Sequence, residues 1–475
     1  MVSPRVVIAA PGSGQGKTTV ATGLLGALRR RSLRVAPFKV GPDYIDPGYH
    51  RVAAGLPGRN LDPVLVGQQR IAPLFRHGSA GADIAVAEGV MGLFDGKLDA
   101  GADGPAFGST AQVADLLRAP VVLVVDARGQ SQSLAALLHG FRSFQPGVRL
   151  AGVILNQVGS DRHEQVLRDA AESVGLPVLG VLGRTDGLSV PSRHLGLITA
   201  AEHGGAASEA VDAMTDAVEA GVDLDAVIRL AREAPELPDE PWRPADEVAA
   251  PADRPGADRP GADLASRPVI AVAGGPAFTF AYTEHVELLT AAGAEVAVLD
   301  PLRDERLPEG TRGLVLPGGF PEQHAAELSA NSALRAEITR FAESGAPIHA
   351  ECGGLLYLAE ELDGHPLCGV LPARAEMSPT LTLGYREAVA ATDSPLCQRG
   401  FRLNGHEFHR TRLQPGSGPE PAWYWRAGTA VSEGFVRGGL HASYLHTHPA
   451  GAPELVSRFV ASCSQRVTGD ADTAV

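Results

Sequence analysis

The chain has 475 residues, enough for two domains of ordinary size with a linker between them rather than one core. Hydrophobic residues make up 44% and charged residues 20%, a globular composition, and the formal net charge of -14 excludes the general affinity for nucleic acid or anionic lipid that basic surface confers. Cys352, Cys368, Cys397 and Cys463 are spaced neither as a zinc site nor as a disulfide framework, and no apolar run approaches a membrane span. A cytoplasmic protein acting on small molecules is expected.

From Arg5 to about Leu182, β-branched runs (RVVIAA, RVAPFKV, DIAVAEG, PVVLVVDA, LAGVILNQV, PVLGVL) alternate with amphipathic helical stretches. Continuous apolar strands separated by helices predict a parallel sheet covered on both faces, with helices over 204–233 closing the domain. The first run leads into Pro11-Gly-Ser-Gly-Gln-Gly-Lys17-Thr18-Thr19, a phosphate-binding loop opening a helix. Backbone N–H groups of Gly12, Gly14 and Gly16 are placed to surround ATP phosphates, Lys17 adds a point charge, Thr19 continues the loop, and the Thr18 hydroxyl is offered to Mg²⁺. Pro11 stands where the usual pattern has glycine.

The next strand ends in Lys39-Val-Gly-Pro-Asp43-Tyr44-Ile45-Asp46. Asp43 is a candidate to complete the metal shell, and Lys39, Tyr44 and Asp46 are candidates to face substrate. Capping roles for the aspartates compete with these readings. Glu88 closes the strand DIAVAE and is the leading Mg²⁺ ligand, because an acidic residue at the C-terminal end of a parallel strand faces the ligand crevice. Asp95, in the loop that follows, is a further candidate for substrate. Asn156, at the end of LAGVILN, is placed to read an adenine edge. The three lysines of the chain, Lys17, Lys39 and Lys97, all fall in this phosphate-handling region.

Residues 1–234 are therefore expected to form the ATP-dependent domain, and 235–267, rich in Pro, Ala and Asp with ADRPG twice in succession, a solvated linker. A second α/β domain is expected over 268–464, with a polar tail over 465–475. In this second half PIHAECGGLLYL reads as a strand, a sharp turn at Cys352 and a helix, an arrangement that presents a nucleophile where the helix dipole lowers its pKa. Gly353 and Gly319, the latter in LPGGFPE, are positioned to donate N–H groups to an oxyanion. His446, in ASYLHTH, is the candidate base. His406 and His409 in RLNGHEFHR are candidates for binding substrate carboxylates; a histidine metal site is the competing reading.

The motifs GSGQGKTT, FKVGPDYIDP, AEGVMGLFDG, LPGGFPE, AECGGLLYL, GHEFH and ASYLH, in that order across both halves, resemble the cobyrinic acid a,c-diamide synthase family, which includes the hydrogenobyrinic acid enzymes of cobalamin biosynthesis. The resemblance implies an α/β dethiobiotin-synthetase-like domain fused to a class I glutamine amidotransferase domain. It implies that Cys352 and His446 release ammonia from glutamine, while ATP and Mg²⁺ in the other domain activate a corrin carboxylate as an acyl phosphate. His448 stands where many such amidotransferases carry a glutamate, so a Cys-His dyad is expected. Amidation of another tetrapyrrole, at the carboxylates of cobyric acid formation or on nickel sirohydrochlorin, and a regulatory P-loop ATPase with a non-catalytic second domain are the competing functions. The expected partners are the corrin polycarboxylate, ATP and glutamine, with neither nucleic acid nor membrane, and a homodimer as the assembly.

Overall fold

A computed structural model describes residues 3–97, 106–184, 192–193, 196–197, 199, 204–248 and 267–464. The chain divides into two compact units, Met1–Trp242 and Arg243–Val475.

The first unit is built on seven strands: β1 (Arg5–Ala9), β2 (Val35–Val40), β3 (Arg59–Leu61), β4 (Ile84–Glu88), β5 (Val121–Asp126), β6 (Leu150–Val158) and β7 (Val178–Gly183). They pair in parallel in the order β3-β2-β4-β1-β5-β6-β7. Every residue of β1, β2 and β4 is buried, as continuous apolar runs require when helices cover both faces. The order reverses at β1, and ligands of open parallel sheets bind at the carboxyl ends of strands beside such a reversal. Helix α1 (Lys17–Arg30) follows β1 directly. It packs closely on the helix Gly205–Gly221, because a Cβ added to Gly23 or Gly26 would fall 2.4 Å from the Met214 carbonyl or 2.1 Å from the Thr215 hydroxyl.

The segment from Pro235, expected to begin the linker, stays on the first unit as far as Trp242. The buried Arg5 guanidinium donates to the Leu117 and Pro235 carbonyls, the Trp242 N–H donates to the Pro73 carbonyl, and the indole meets His77 edge-on at 5.1 Å. Burial of that indole, which is 4% exposed, outweighs the loose composition around it. Pro244–Val248 is a short helix of the second unit. The ADRPG repeats and the tail 465–475 lie outside the described residues.

The second unit carries a sheet in which Glu295–Leu299, Val269–Ala273, Thr311–Leu316, Ile348–Glu351 and Leu440–Ser443 run parallel in that spatial order, and Phe435–Arg437 joins the edge antiparallel. A second sheet is dominated by the long antiparallel pair Arg374–Ala390 and Arg402–Gln414. The chain leaves the first sheet at Ser443 and enters the second at His446–Thr447, where His446 pairs with His406. That crossing brings elements of both sheets to the end of the strand that carries Cys352.

Candidate active sites

In the first unit the loop from Pro11 to Gly16 joins β1 to α1, with Gly14 at φ 77° and Gly16 at φ 96°, conformations that favour glycine. No atom lies within 4 Å of a Cβ built on Gly12 or Gly14, so that side of the loop stands open. Lys17 Nζ donates to the carbonyls of Gly12 at 3.0 Å and Met91 at 2.5 Å. Burial, reinforced by the neighbouring Lys39 ammonium, lowers the Lys17 pKa to about 8. Thr18 donates its hydroxyl to Glu88 Oε1 at 2.7 Å, and Thr19 lies half-buried in the first turn of α1. Asn156 donates one Nδ2 hydrogen to the Gln15 carbonyl at 3.0 Å and accepts the Gln157 N–H, which ties it to the phosphate loop.

Lys39, Asp46 and Glu88 form a buried charge cluster beside Thr18. Lys39 Nζ lies 2.6 Å from Asp46, 3.0 Å from Glu88 and 3.7 Å from Asp43. Burial opposes each charge. The two buried carboxylates nevertheless hold the Lys39 pKa above its usual value, while Lys39, His50 and Thr18 hold Glu88 well below the carboxylate range. Asp46 is pushed up, by burial first and then by Asp43 and Glu88.

The sequence offered Asp43 for the metal shell and Asp46 for a substrate contact, and the structure gives the two carboxylates different surroundings. Asp43 Oδ1 accepts the N–H groups of Ile45 and Asp46 in a local turn, whereas Asp46 Oδ2 lies 3.4 Å from the Thr18 hydroxyl. Lys39 at 3% exposure, Tyr44 at 8% and Asp46 at 7% are buried. Asp95 is exposed and accepts the Gly92 N–H at 2.8 Å, shaping the loop whose Met91 carbonyl receives Lys17. His50 was not foreseen: its Nε2 lies 2.7 Å from Glu88 Oε2, and the signal was its position four residues after Asp46 on the helix Asp46–Ala54, which puts both on one face. Thr18, Asp46 and Glu88 offer only oxygen donors, the set a hard cation takes, and the Lys39 ammonium already places positive charge among them. These residues fit Mg²⁺ beside a nucleotide triphosphate.

In the second unit Cys352 follows the strand Ile348–Glu351 and precedes the helix Gly353–Leu358, with φ 45° and ψ -98°. A non-glycine residue held at positive φ on such a turn stores strain of the order of 1–3 kcal/mol, a common feature of presented nucleophiles. Only glycine fits the neighbouring positions: a Cβ on Gly354 would lie 2.1 Å from the Leu316 carbonyl, and one on Gly319 would lie 2.2 Å from the Ala277 carbonyl. A Cβ on Gly353 would come 2.9 Å from the Gly319 nitrogen, so the two N–H groups expected to form an oxyanion hole are neighbours. His446 is fully buried, packs 6.2 Å from Phe280, and sits so close to Gly318 that a Cβ there would fall 2.4 Å from its Cε1.

The expected depression of the thiol pKa is corrected. Cys352 is 3% exposed, and burial, with the carboxylates of Glu322, Glu351 and Glu407, pushes the thiol far up, only partly offset by the Gly353 N–H. Burial also lowers the His446 pKa to about 4. Burial thus favours the neutral thiol of Cys352 and the neutral imidazole of His446.

His406 and His409, expected to receive substrate carboxylates, are 2% and 8% exposed and surround the same centre. His406 stacks on His446 at 5.1 Å. His409 stacks on Tyr444 at 3.8 Å and donates Nδ1 to the Thr411 carbonyl. Both rings are enclosed, His406 against His446 and His409 against Tyr444. His448 accepts the Ala450 N–H and packs on Tyr282 at 4.1 Å, a capping role that explains why it does not stand in for glutamate. Among the described residues no group of three or more histidines, cysteines and carboxylates is arranged to hold a metal ion.

Glu433, behind the turn, accepts the Ser443 hydroxyl at 2.6 Å and the Tyr444 N–H at 2.7 Å, and burial raises its pKa to about 8. A carboxyl whose folded pKa exceeds its unfolded value adds stability below the unfolded pKa and loses it as pH rises through the folded one. The second unit is thus expected to melt several degrees lower at about pH 9 than at about pH 6, and Glu433→Gln to flatten that dependence, as read by thermal unfolding.

Two family models match the chain: a CobQ/CobB/MinD/ParA nucleotide binding domain over residues 6–198 and a CobB/CobQ-like glutamine amidotransferase domain over 269–453. The chain is 58% identical to the hydrogenobyrinate a,c-diamide synthase of Streptomyces coelicolor, across 97% of each protein. It is 57% identical to the enzyme of that name from Mycobacterium tuberculosis, across 96% of this chain and 97% of the relative. It is 40% identical to a cobyrinate a,c-diamide synthase from Synechococcus, across 97% and 98%.

Proposed function

The chain belongs to the a,c-diamide synthase family, and we propose that it converts the a and c carboxylates of hydrogenobyrinic acid to primary amides in cobalamin biosynthesis, spending ATP and glutamine. The observation that carries this reading is the pairing, in one chain, of an open phosphate loop backed by the Thr18, Asp46 and Glu88 oxygens with a strained cysteine beside two glycine N–H groups and a buried histidine. The closer likeness to relatives named for the metal-free substrate supports hydrogenobyrinic over cobyrinic acid.

In the second unit His446 accepts the thiol proton as Cys352 attacks the glutamine amide. Gly319 and Gly353 stabilise the oxyanion, ammonia leaves, and water releases glutamate from the thioester. In the first unit the phosphate loop and Lys17 hold ATP while a substrate carboxylate attacks the γ-phosphorus, giving an acyl phosphate and ADP. Ammonia then displaces phosphate from the acyl carbon, giving the amide. Activation is needed because a carboxylate is a poor electrophile. Mg²⁺, held by Thr18, Asp46 and Glu88, would neutralise charge on the phosphates. Lys39 and His50 keep Glu88 ionised in the interior, and Lys39 orients Asp46 through its contact at 2.6 Å.

The reaction is assigned to the cytoplasm, where ATP and glutamine are supplied and the four buried thiols stay reduced. A homodimer is the proposed assembly, read by sedimentation. The deciding experiment is product mass after incubation with ATP, Mg²⁺ and glutamine, in parallel on hydrogenobyrinic acid and its cobalt-containing counterpart. A mass change for two carboxyl-to-amide conversions, faster on the metal-free substrate, is expected; no change on either would refute the assignment.

A further inference from the structure

We propose that Glu351, the residue immediately before the nucleophile, is the positioning carboxylate of the glutaminase centre, filling from the strand side the place that His448 leaves empty of charge. The inference rests on the glutaminase reading of Cys352 and His446 and converts the expected dyad into a triad whose third member comes from the nucleophile's own strand.

Glu351 ends the strand Ile348–Glu351 and pairs in register with Ser443, three residues before His446. Its Oε2 lies 3.9 Å from His446 Nδ1, within ion-pair reach. The carboxylate is not free to swing: Oε1 accepts the Thr447 hydroxyl at 2.6 Å and the Thr447 N–H at 3.2 Å, and His349 Nε2 stands 3.3 Å away. Thr447 directly follows His446, so the residue that aims Glu351 also fixes the backbone of the base. Although burial works against the anion, His349, His446 and Thr447 hold the Glu351 pKa down to about 2, so the carboxylate is ionised whenever the enzyme works.

The chemistry of the resting pair makes this charge necessary. When Cys352 attacks, its proton passes to His446 and an imidazolium forms in an interior where the ring is fully buried. An unpaired cation there is strongly disfavoured. A fixed anion on the Nδ1 side offsets that cost and selects the tautomer with its proton on Nδ1 and its lone pair on Nε2, the form that can accept a proton from the thiol. Glu407 also bears on His446 but is committed to Arg386 at 2.6 Å.

Glu351→Gln keeps the side chain's shape and an acceptor oxygen for Thr447 while removing the charge. In the full-length enzyme glutamine hydrolysis is expected to lose about 100-fold in kcat with KM for glutamine within about twofold, and Glu351→Asp to recover at least about a tenth of wild-type kcat. Ammonia-dependent amidation by the same preparations reports whether the ATP-dependent unit is intact. The proposal is overturned if Glu351→Gln keeps more than about a third of kcat, if the Asp variant is no better than the Gln variant, or if ammonia-dependent amidation falls in parallel, which would mark a structural role. A wild-type enzyme without glutaminase activity would instead refute the functional reading beneath it.

Discussion

Cys352→Ala is expected to abolish glutamine-dependent amidation while leaving amidation by added ammonium salts near the wild-type rate. Thioester formation has no alternative nucleophile at this centre: the turn at φ 45° presents residue 352 alone, and Gly353 and Gly319 beside it carry no side chain. The loss in glutamine-dependent kcat is expected to reach about 10⁴-fold or more, since removal of a nucleophile leaves only the contributions of binding and the oxyanion hole. The substitution removes one sulfur from a packed interior and keeps the backbone, so the second unit should fold. Ammonia supplied in solution bypasses glutamine entirely and needs only the acyl phosphate made in the first unit. Parallel assays with glutamine and with ammonium chloride on one preparation check the result. Equal loss in both, in a protein with unchanged unfolding behaviour, would mean that the two units do not divide the labour as proposed.

The parts of both centres that were legible in the sequence are those written in local backbone chemistry. A glycine-rich loop between an apolar strand and a helix can hardly be anything but an anion cradle, and Ala-Glu-Cys-Gly-Gly between strand and helix announces a sharp turn. Parallel-sheet architecture was legible for the same reason, since continuous apolar runs such as VVLVVD suit a strand covered on both faces.

What was not legible depends on which side chains the fold buries together. Asp43 and Asp46 are equivalent by type and spacing, and only the start of a helix at Asp46 turns one toward Thr18 while the other closes a local turn. The thiol was expected to be acidic from its helix N-terminus, but a six-residue helix has a weak dipole, and its effect is outweighed by burial, the adjacent Glu351 and the carboxylates of Glu322 and Glu407 from other parts of the chain. Trp242 looked like part of a linker because proline and acidic residues surround it, and a single buried indole reverses that reading. Glu351 lay in plain view inside the cysteine motif. Its meaning needed the crossing of the chain from Ser443 to His446, which no local pattern encodes.

Lys17→Ala is expected to abolish amidation from glutamine and from ammonia alike, by about 10³-fold or more in kcat, because both routes need the acyl phosphate. The ammonium of Lys17 is suspended between the Gly12 and Met91 carbonyls, so it is aimed before any ligand arrives, and its pKa near 8 leaves it ready to be drawn to full charge by phosphate oxygens. Lys39 cannot substitute for it, since that ammonium is held by Asp46 and Glu88 on the carboxylate side of the cluster. Lys17→Arg should not rescue, because a planar guanidinium cannot occupy a point-charge site bounded by two carbonyls. Glutamine hydrolysis measured without corrin should persist in the variant, as all its groups lie in the second unit. Ammonia-dependent amidation retained within tenfold in Lys17→Ala would remove the phosphate loop from the chemistry and leave the glutaminase as the only catalytic unit assigned.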